Sequence, residues 1–510
     1  MEYNLEKKSL QTADILLDTV SEQVVDLDLV LPDYCPDIER ILKCTLTPQI
    51  YNRNLSGGQL QIEGGAKVCI LYCDSIKKNV RSCEQTVPFS AEFSVKSSQE
   101  QQIILNDIKT EYVNCRALSP RKLVIHGAFS LYTKVLTKGV CELFNYESDN
   151  ELQVKTQKVN AARVTGFCQE MFSVTEDIQI VNKPPVDAVL CSTLNAALTQ
   201  IKTVQNKLMI KGELNLKMLY LSDVDEGNIE QITYLIPFNQ IIDCEGINED
   251  TINNATVNVL SYEIRVKSEA LSENPVVSLD SRLCFSEIGY ECGEETVITD
   301  AYSVSCGTDI DLASVSVIKN VSVMSESFMN KAALSLEDMN ISKLVDIYSE
   351  YCTVTPTLSE SMLRINGKMN LCVVALDGDN MPIYFERSTE FEQRFALSSE
   401  FNAIEQVKVQ SVSISYRLSQ ENSIEVRCEM KAEGVLQNRE SRKIVCGIST
   451  DENRPVERDD CALTLYYAQP GENLWEIAKK YSTYYNMLTR ENELEDENLA
   501  ESRMLLISTP

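Results

Sequence analysis

The sequence predicts a mainly β protein: three β-rich repeats, each opened by a short helix, followed by a small βααβ module. Three observations lead there. Short apolar runs rich in Val, Ile, Thr and Tyr alternate with a period of two through roughly the first 450 residues, as half-buried strands do. One strand motif returns three times at a separation of about 150 residues. The last 44 or so residues show helical spacing between two strand-like runs.

The repeated motif is Leu60-x-Ile62-x-Gly64, then Leu208-x-Ile210-x-Gly212, then Leu363-x-Ile365-x-Gly367, with glycines 148 and 155 residues apart. Each continues as a strand-like run, ending near Tyr72, Tyr220 and Ala375. Upstream stand apolar residues at helical spacing: Ile38, Ile41 and Leu42; Val186, Val189 and Leu190; Ile341, Leu344 and Val345. Pro36 and Pro185 precede the first two sets, where proline suits a helix start, so a short helix is predicted at each. About 25 residues after each glycine comes Phe89, Phe238 or Phe391. A second alternating run follows, at Leu123–Gly127, Val277–Ser281 and Ile424–Cys428. Three features in near-constant register predict repeats over 1–160, 161–315 and 316–455. The polar stretch Asp451–Asp460 reads as a linker to a module over 456–510.

In that module Leu474, Ile477, Ala478 and Tyr481 form the apolar stripe of an amphipathic helix. Tyr467, Pro470-Gly471-Glu472-Asn473-Leu474-Trp475, Ile477-Ala478, Asn492-x-Leu494 and Leu505–Ile507 together resemble a LysM module. The resemblance implies two helices on a two-stranded sheet and a groove between the loop after strand one and the loop after helix two. It thereby places a binding surface at Gly471, Glu472, Asn473, Trp475, Tyr484, Tyr485, Asn492, Glu493 and Leu494. Where LysM modules commonly carry Asp-Thr this chain has Glu472-Asn473, and Glu501-Ser502 stands for the usual Pro-Gly. Trp475, the single tryptophan, either fills an aromatic slot in the packing or stands beside the groove as an interface anchor. Tyr484 and Tyr485 open the second helix, with one expected to face outward. The acidic run from Glu491 to Glu501 suits a basic protein surface or is simply a solvated charge run.

LysM modules bind N-acetylglucosamine-containing glycans, yet the rest of the chain points inside the cell. Residues 1–8 have no basic segment leading into an apolar one. No run approaches the ~18 apolar residues that span a bilayer, and 18 scattered cysteines read as reduced thiols. A net charge of −29 repels phosphate backbones and anionic lipid, arguing against nucleic acid and bare membrane as partners.

The opening Leu31-Pro32-Asp33-Tyr34-Cys35-Pro36-Asp37-Ile38, with the Leu-x-Ile-x-Gly strands, resembles a SPOCS domain. SPOCS repeats joined to a C-terminal LysM resemble clostridial spore-coat morphogenetic proteins. That resemblance implies a non-enzymatic scaffold acting in the mother-cell cytoplasm at the forespore surface. It also implies docking of the coat basement-layer ATPase, a SpoIVA-type morphogenetic protein, by the LysM module, with other coat proteins as further partners. The alternative is a peptidoglycan binder using LysM on glycan.

Catalytic chemistry has little to stand on. The single histidine, His126, would have to serve any Cys–His or Ser–His dyad. Its slot holds Asp280 and Arg427 in the other repeats, which marks a solvent-facing strand position. No Cys-x-x-Cys pair is present, and Cys69 and Cys73 read as core. Asp377-Gly378-Asp379-Asn380 reads as hairpin-turn chemistry rather than a calcium loop. Lys67 follows a Gly-rich stretch without Walker spacing. No catalytic residue, metal ligand or cofactor is assigned.

Overall fold

Each strand run marked by its alternation becomes the middle strand of a three-stranded antiparallel sheet. The computed structural model describes residues 3–96, 100–146, 148–149, 151–180, 183–267, 276–336, 339–359, 361–419, 423–457 and 461–508. The first unit comprises β1 (Glu6–Val30), β2 (Ile38–Ser56), β3 (Gln59–Asp74), β4 (Val80–Ser94), β5 (Gln102–Ser119) and β6 (Lys122–Asn145). They form sheets of order β2-β3-β4 and β1-β6-β5. The second unit repeats this with β7 (Leu152–Gln179), β8 (Ala188–Val204), β9 (Lys207–Asp223), β10 (Asn228–Asp243), β11 (Ile252–Lys267) and β12 (Val276–Ser303). The third does so with β13 (Cys306–Ser335), β14 (Ile341–Ser359), β15 (Met362–Asp377), β16 (Pro382–Ala396), β17 (Ala403–Ser419) and β18 (Ser423–Pro455). In each unit the two sheets pack face to face over a shared apolar core.

The helices predicted near residues 38, 186 and 341 are not there. Those residues start or immediately precede β2, β8 and β14. The helical spacing is produced by β-bulges, each of which inserts an unpaired residue into the ladder. Ile38 pairs with Asp74 and Ile41 with Tyr72, so residues three apart face the same side. Leu344 stands in the same relation to Ile341. The bulged residues Leu42, Leu190 and Val345 turn the other way and meet in one apolar cluster.

That meeting point shows how the units are arranged. β4 packs on β8, β10 on β14, and β16 on β2, which closes a ring. Each contact has its own polar fastening. Arg81 donates to Val224 O at 2.7 Å between units one and two. Lys217 pairs with Asp346 at 2.7 Å between two and three. Lys43 pairs with Glu386 at 2.7 Å between three and one. Below the bulge cluster, two more apolar clusters take residues from all three units.

The repeated glycines and phenylalanines are one device. Gly64 pairs across the sheet with Phe89, Gly212 with Phe238 and Gly367 with Phe391. A Cβ on Gly212 would lie 2.2 Å from Phe238 Cζ, so each ring covers bare backbone. The Asp-rich loops are Asx turns: Asp74, Asp223 and Asp377 each accept backbone N–H bonds from residues two or more further on.

Candidate binding surface on the C-terminal module

Residues 463–508 form β19 (Leu463–Ala468), α1 (Leu474–Lys480), α2 (Tyr485–Glu491) and β20 (Arg503–Ser508), with β19 and β20 paired antiparallel. The polar stretch expected to link this module to the ring begins as strand, since β18 runs to Pro455. Residues 458–460 of that stretch lie outside the described residues. Asn473 caps α1: its side-chain oxygen accepts from Trp475 N at 2.9 Å and Glu476 N at 3.4 Å. Gly471 at φ 87° lets the chain turn sharply before the cap. Leu474, Ile477 and Ala478 are buried as the stripe predicts.

The first predicted loop is joined to the segment after α2 by backbone bonds. Gly471 N donates to Leu499 O at 2.7 Å, Leu499 N to Glu472 O at 3.0 Å, and Leu474 N to Glu497 O at 2.8 Å. The joining residues are therefore 497–499, downstream of Asn492, Glu493 and Leu494. Asn492 is buried and ties α2 to β20, donating to Leu488 O and Leu506 O and accepting from Leu506 N. Glu493 is exposed at φ 53°, and Leu494 is half-buried against the module core. The Glu472 carboxylate accepts from Tyr466 OH and Gln469 N. The Asn473 amide donates to Glu497 and Asn498. The polar groups of the expected groove are thus engaged with one another.

Trp475 is not an exposed anchor beside that groove. It is 4% exposed and faces the second unit of the ring. Its Nε1–H donates to Asp300 Oδ2 at 2.8 Å, and the Tyr302 ring meets it edge-on with centroids 5.0 Å apart. Lys479 Nζ reaches both Asp300 oxygens at 2.7 and 2.8 Å. Tyr302 OH donates to Thr483 O at 2.7 Å, and Lys155 pairs with Glu497. Tyr484 occupies the N-cap position of α2, with Tyr485 opening the helix. Both are half-buried; the Tyr485 ring lies tilted against Trp475 with centroids 5.6 Å apart, and the Tyr485 N–H donates to Gln153 Oε1 at 3.3 Å. Tyr302 and Val304 belong to the same apolar cluster as the module's own core.

Sequence reasoning missed Gln153, Lys155, Asp300 and Tyr302, which sit in ordinary-looking strand far from the module in the chain. The apolar side chains the module leaves in solvent are Leu463, Leu465 and Tyr467 on β19, Met504 on β20 and Met487 on α2. Of the acidic run, Glu491, Glu493, Glu495, Asp496 and Glu501 are exposed, while Glu497 is the one drawn into the ring contact.

Elsewhere, His126 is exposed with its Nδ1 2.7 Å from Asp26 Oδ1, directly across the strand pair. Cys69 and Cys73 are buried free thiols. Among the described residues no three His, Cys, Asp or Glu side chains converge as a metal site. Nor is any helix among them long and apolar enough to cross a membrane.

Two stretches of the chain match the family model described as SipL, SPOCS domain: residues 37–118 and 185–267. They are structurally equivalent, running from β2 through β5 in the first unit and from β8 through β11 in the second. The third unit has the same sheet order outside the matched stretches, and the C-terminal module also lies outside them. No curated protein and no solved structure matches the chain.

Proposed function

We propose that this chain is a non-enzymatic scaffold of spore-coat assembly, in which a ring of three SPOCS-like units carries a LysM-type module that docks the coat basement-layer ATPase. The observation that carries the reading is the SPOCS similarity at equivalent places in two units, repeated as topology in the third. That similarity points to a sporulation-related protein. The order β19-α1-α2-β20 supports the LysM reading of the module.

Protein docking is favoured over glycan because Glu472, Asn473 and Asn492 spend their side chains on internal bonds. The exposed side chains Leu463, Leu465, Tyr467 and Met504 form the apolar strand face that the seated module leaves free for the ATPase. In a sporulating cell the fluorescently tagged chain is expected to surround the forespore from the mother-cell side and to disperse when the ATPase is deleted. Uniform cytoplasmic signal in both strains would sink the reading.

A further inference from the structure

We infer that Asp300 and Tyr302 are positioning residues: a hook on the second unit that completes the module's core and fixes its bearing on the ring, so that a partner meets the module in one orientation. The binding arm of this inference rests on the function proposed above.

The hook is built by a bulge. In β12, Ile298 pairs with Thr156 and Asp300 with Lys155, so Thr299 is left out of the ladder. Were Thr299 paired in a regular ladder, Asp300 would share the face of Ile298, which is fully buried in the ring. With the bulge, alternation restarts on the opposite face. Ala301 and its partner Val154 point into the ring's apolar cluster. Asp300 with Lys155, and Tyr302 with Gln153, point at the module, and all four side chains bond to it.

The chemistry at the contact is complementary. The Asp300 carboxylate receives both the indole N–H of Trp475 and the ammonium of Lys479, charge-assisted bonds in a largely buried setting. The edge-on Tyr302 ring completes the cover over Trp475. A module tethered only by 456–462 would have to lose its orientational freedom on binding, whereas a seated module has already lost it. The contact also turns the α1 side of the module inward while Leu463, Leu465 and Tyr467 remain in solvent.

Trp475 is the only tryptophan, so its emission in the full-length chain reports the contact directly. Asp300→Ala is expected to shift that emission to the red and to increase acrylamide quenching, with the far-ultraviolet circular dichroism of the strands unchanged. Asp300→Asn, which keeps an acceptor for the indole and loses the ion pair to Lys479, is expected to fall between. Tyr302→Phe, which keeps the ring and loses the bond to Thr483 O, tests the second contact should Asp300→Ala fail to fold. Affinity of full-length Asp300→Ala for the purified basement-layer ATPase should fall by about tenfold through lost preorganisation. Unchanged emission would overturn the hook. A red shift with unchanged affinity would overturn its role in orienting the module. No binding even by the wild-type chain would overturn the functional reading instead, leaving the emission alone to decide the hook.

Discussion

Phe238 lies across Gly212 so closely that a Cβ there would come within 2.2 Å of its Cζ and 2.6 Å of Ala197 O. The clash is with a ring on one side and backbone on the other, so relaxation has little room. Gly212→Ala should cost about 1–3 kcal/mol, the usual range for overpacking a filled site, read as a lower thermal midpoint. Adding Phe238→Leu should recover part of the loss. Equal midpoints for wild type and Gly212→Ala would show that the pair is not in close contact.

The ring should weaken in acid. Burial pushes Glu386 up, but bonds from Lys43, Asn370 and Tyr384 outweigh it and hold the carboxyl at about 2, against an ordinary 4.5. A carboxyl lowered by folding stabilises the fold above its unfolded value, and that contribution is lost as pH falls through the folded one. The contact between the third and first units should therefore fade from about pH 4.5 toward about pH 2. Glu386→Gln should flatten the midpoint-against-pH curve over that window; an unchanged acid limb would remove Glu386 from the account.

Glu287 should act in the opposite sense. It is fully buried between Cys168 on β7 and Ala255 on β11, near Cys244 and Thr251, and neither carboxyl oxygen has a hydrogen-bond partner among the described residues. Burial, with Cys244 adding to it, raises its pKa well above the ordinary carboxylate value. The folded chain holds the proton that the unfolded chain releases, so stability declines as pH rises beyond the unfolded carboxylate range. Glu287→Met should raise the thermal midpoint more at pH 8 than at pH 4, since an unpartnered buried polar group costs about 1–3 kcal/mol. A lower midpoint at both values would mean that the carboxyl stabilises the fold.

Leu465 should matter for binding and not for folding. Leu465→Asp on the exposed face of β19 should weaken ATPase binding while leaving Trp475 emission unchanged. If binding survives, the docking surface lies elsewhere on the chain.

Much of the β architecture was legible because Leu60, Ile62 and their counterparts alternate, and alternation has one main physical cause in a sheet. The helices misread near Ile38 and Ile341 show the limit: a bulge shifts a period of two to a local spacing of three, which imitates a helix turn. The stripe Leu474, Ile477 and Ala478 gave α1 correctly because nothing interrupts it. Ring closure was not legible, since Lys43–Glu386 and Lys217–Asp346 join residues without any shared motif. Neither was the partner of Trp475: Asp300 lies 175 residues away and is aimed by the bulge at Thr299, which alternation alone does not reveal. The resemblance to LysM modules placed the second groove loop at Asn492, Glu493 and Leu494, and the polar character of Asn492 does not reveal that its side chain is buried between α2 and β20.

The most direct test of the central claim is binding of the full-length chain to the purified coat basement-layer ATPase and, in parallel, to N-acetylglucosamine oligomers. Saturable ATPase binding, weakened by Leu465→Asp, is expected, with no measurable glycan binding. Glycan binding without ATPase binding would contradict the central claim and make the module a sugar-reading domain.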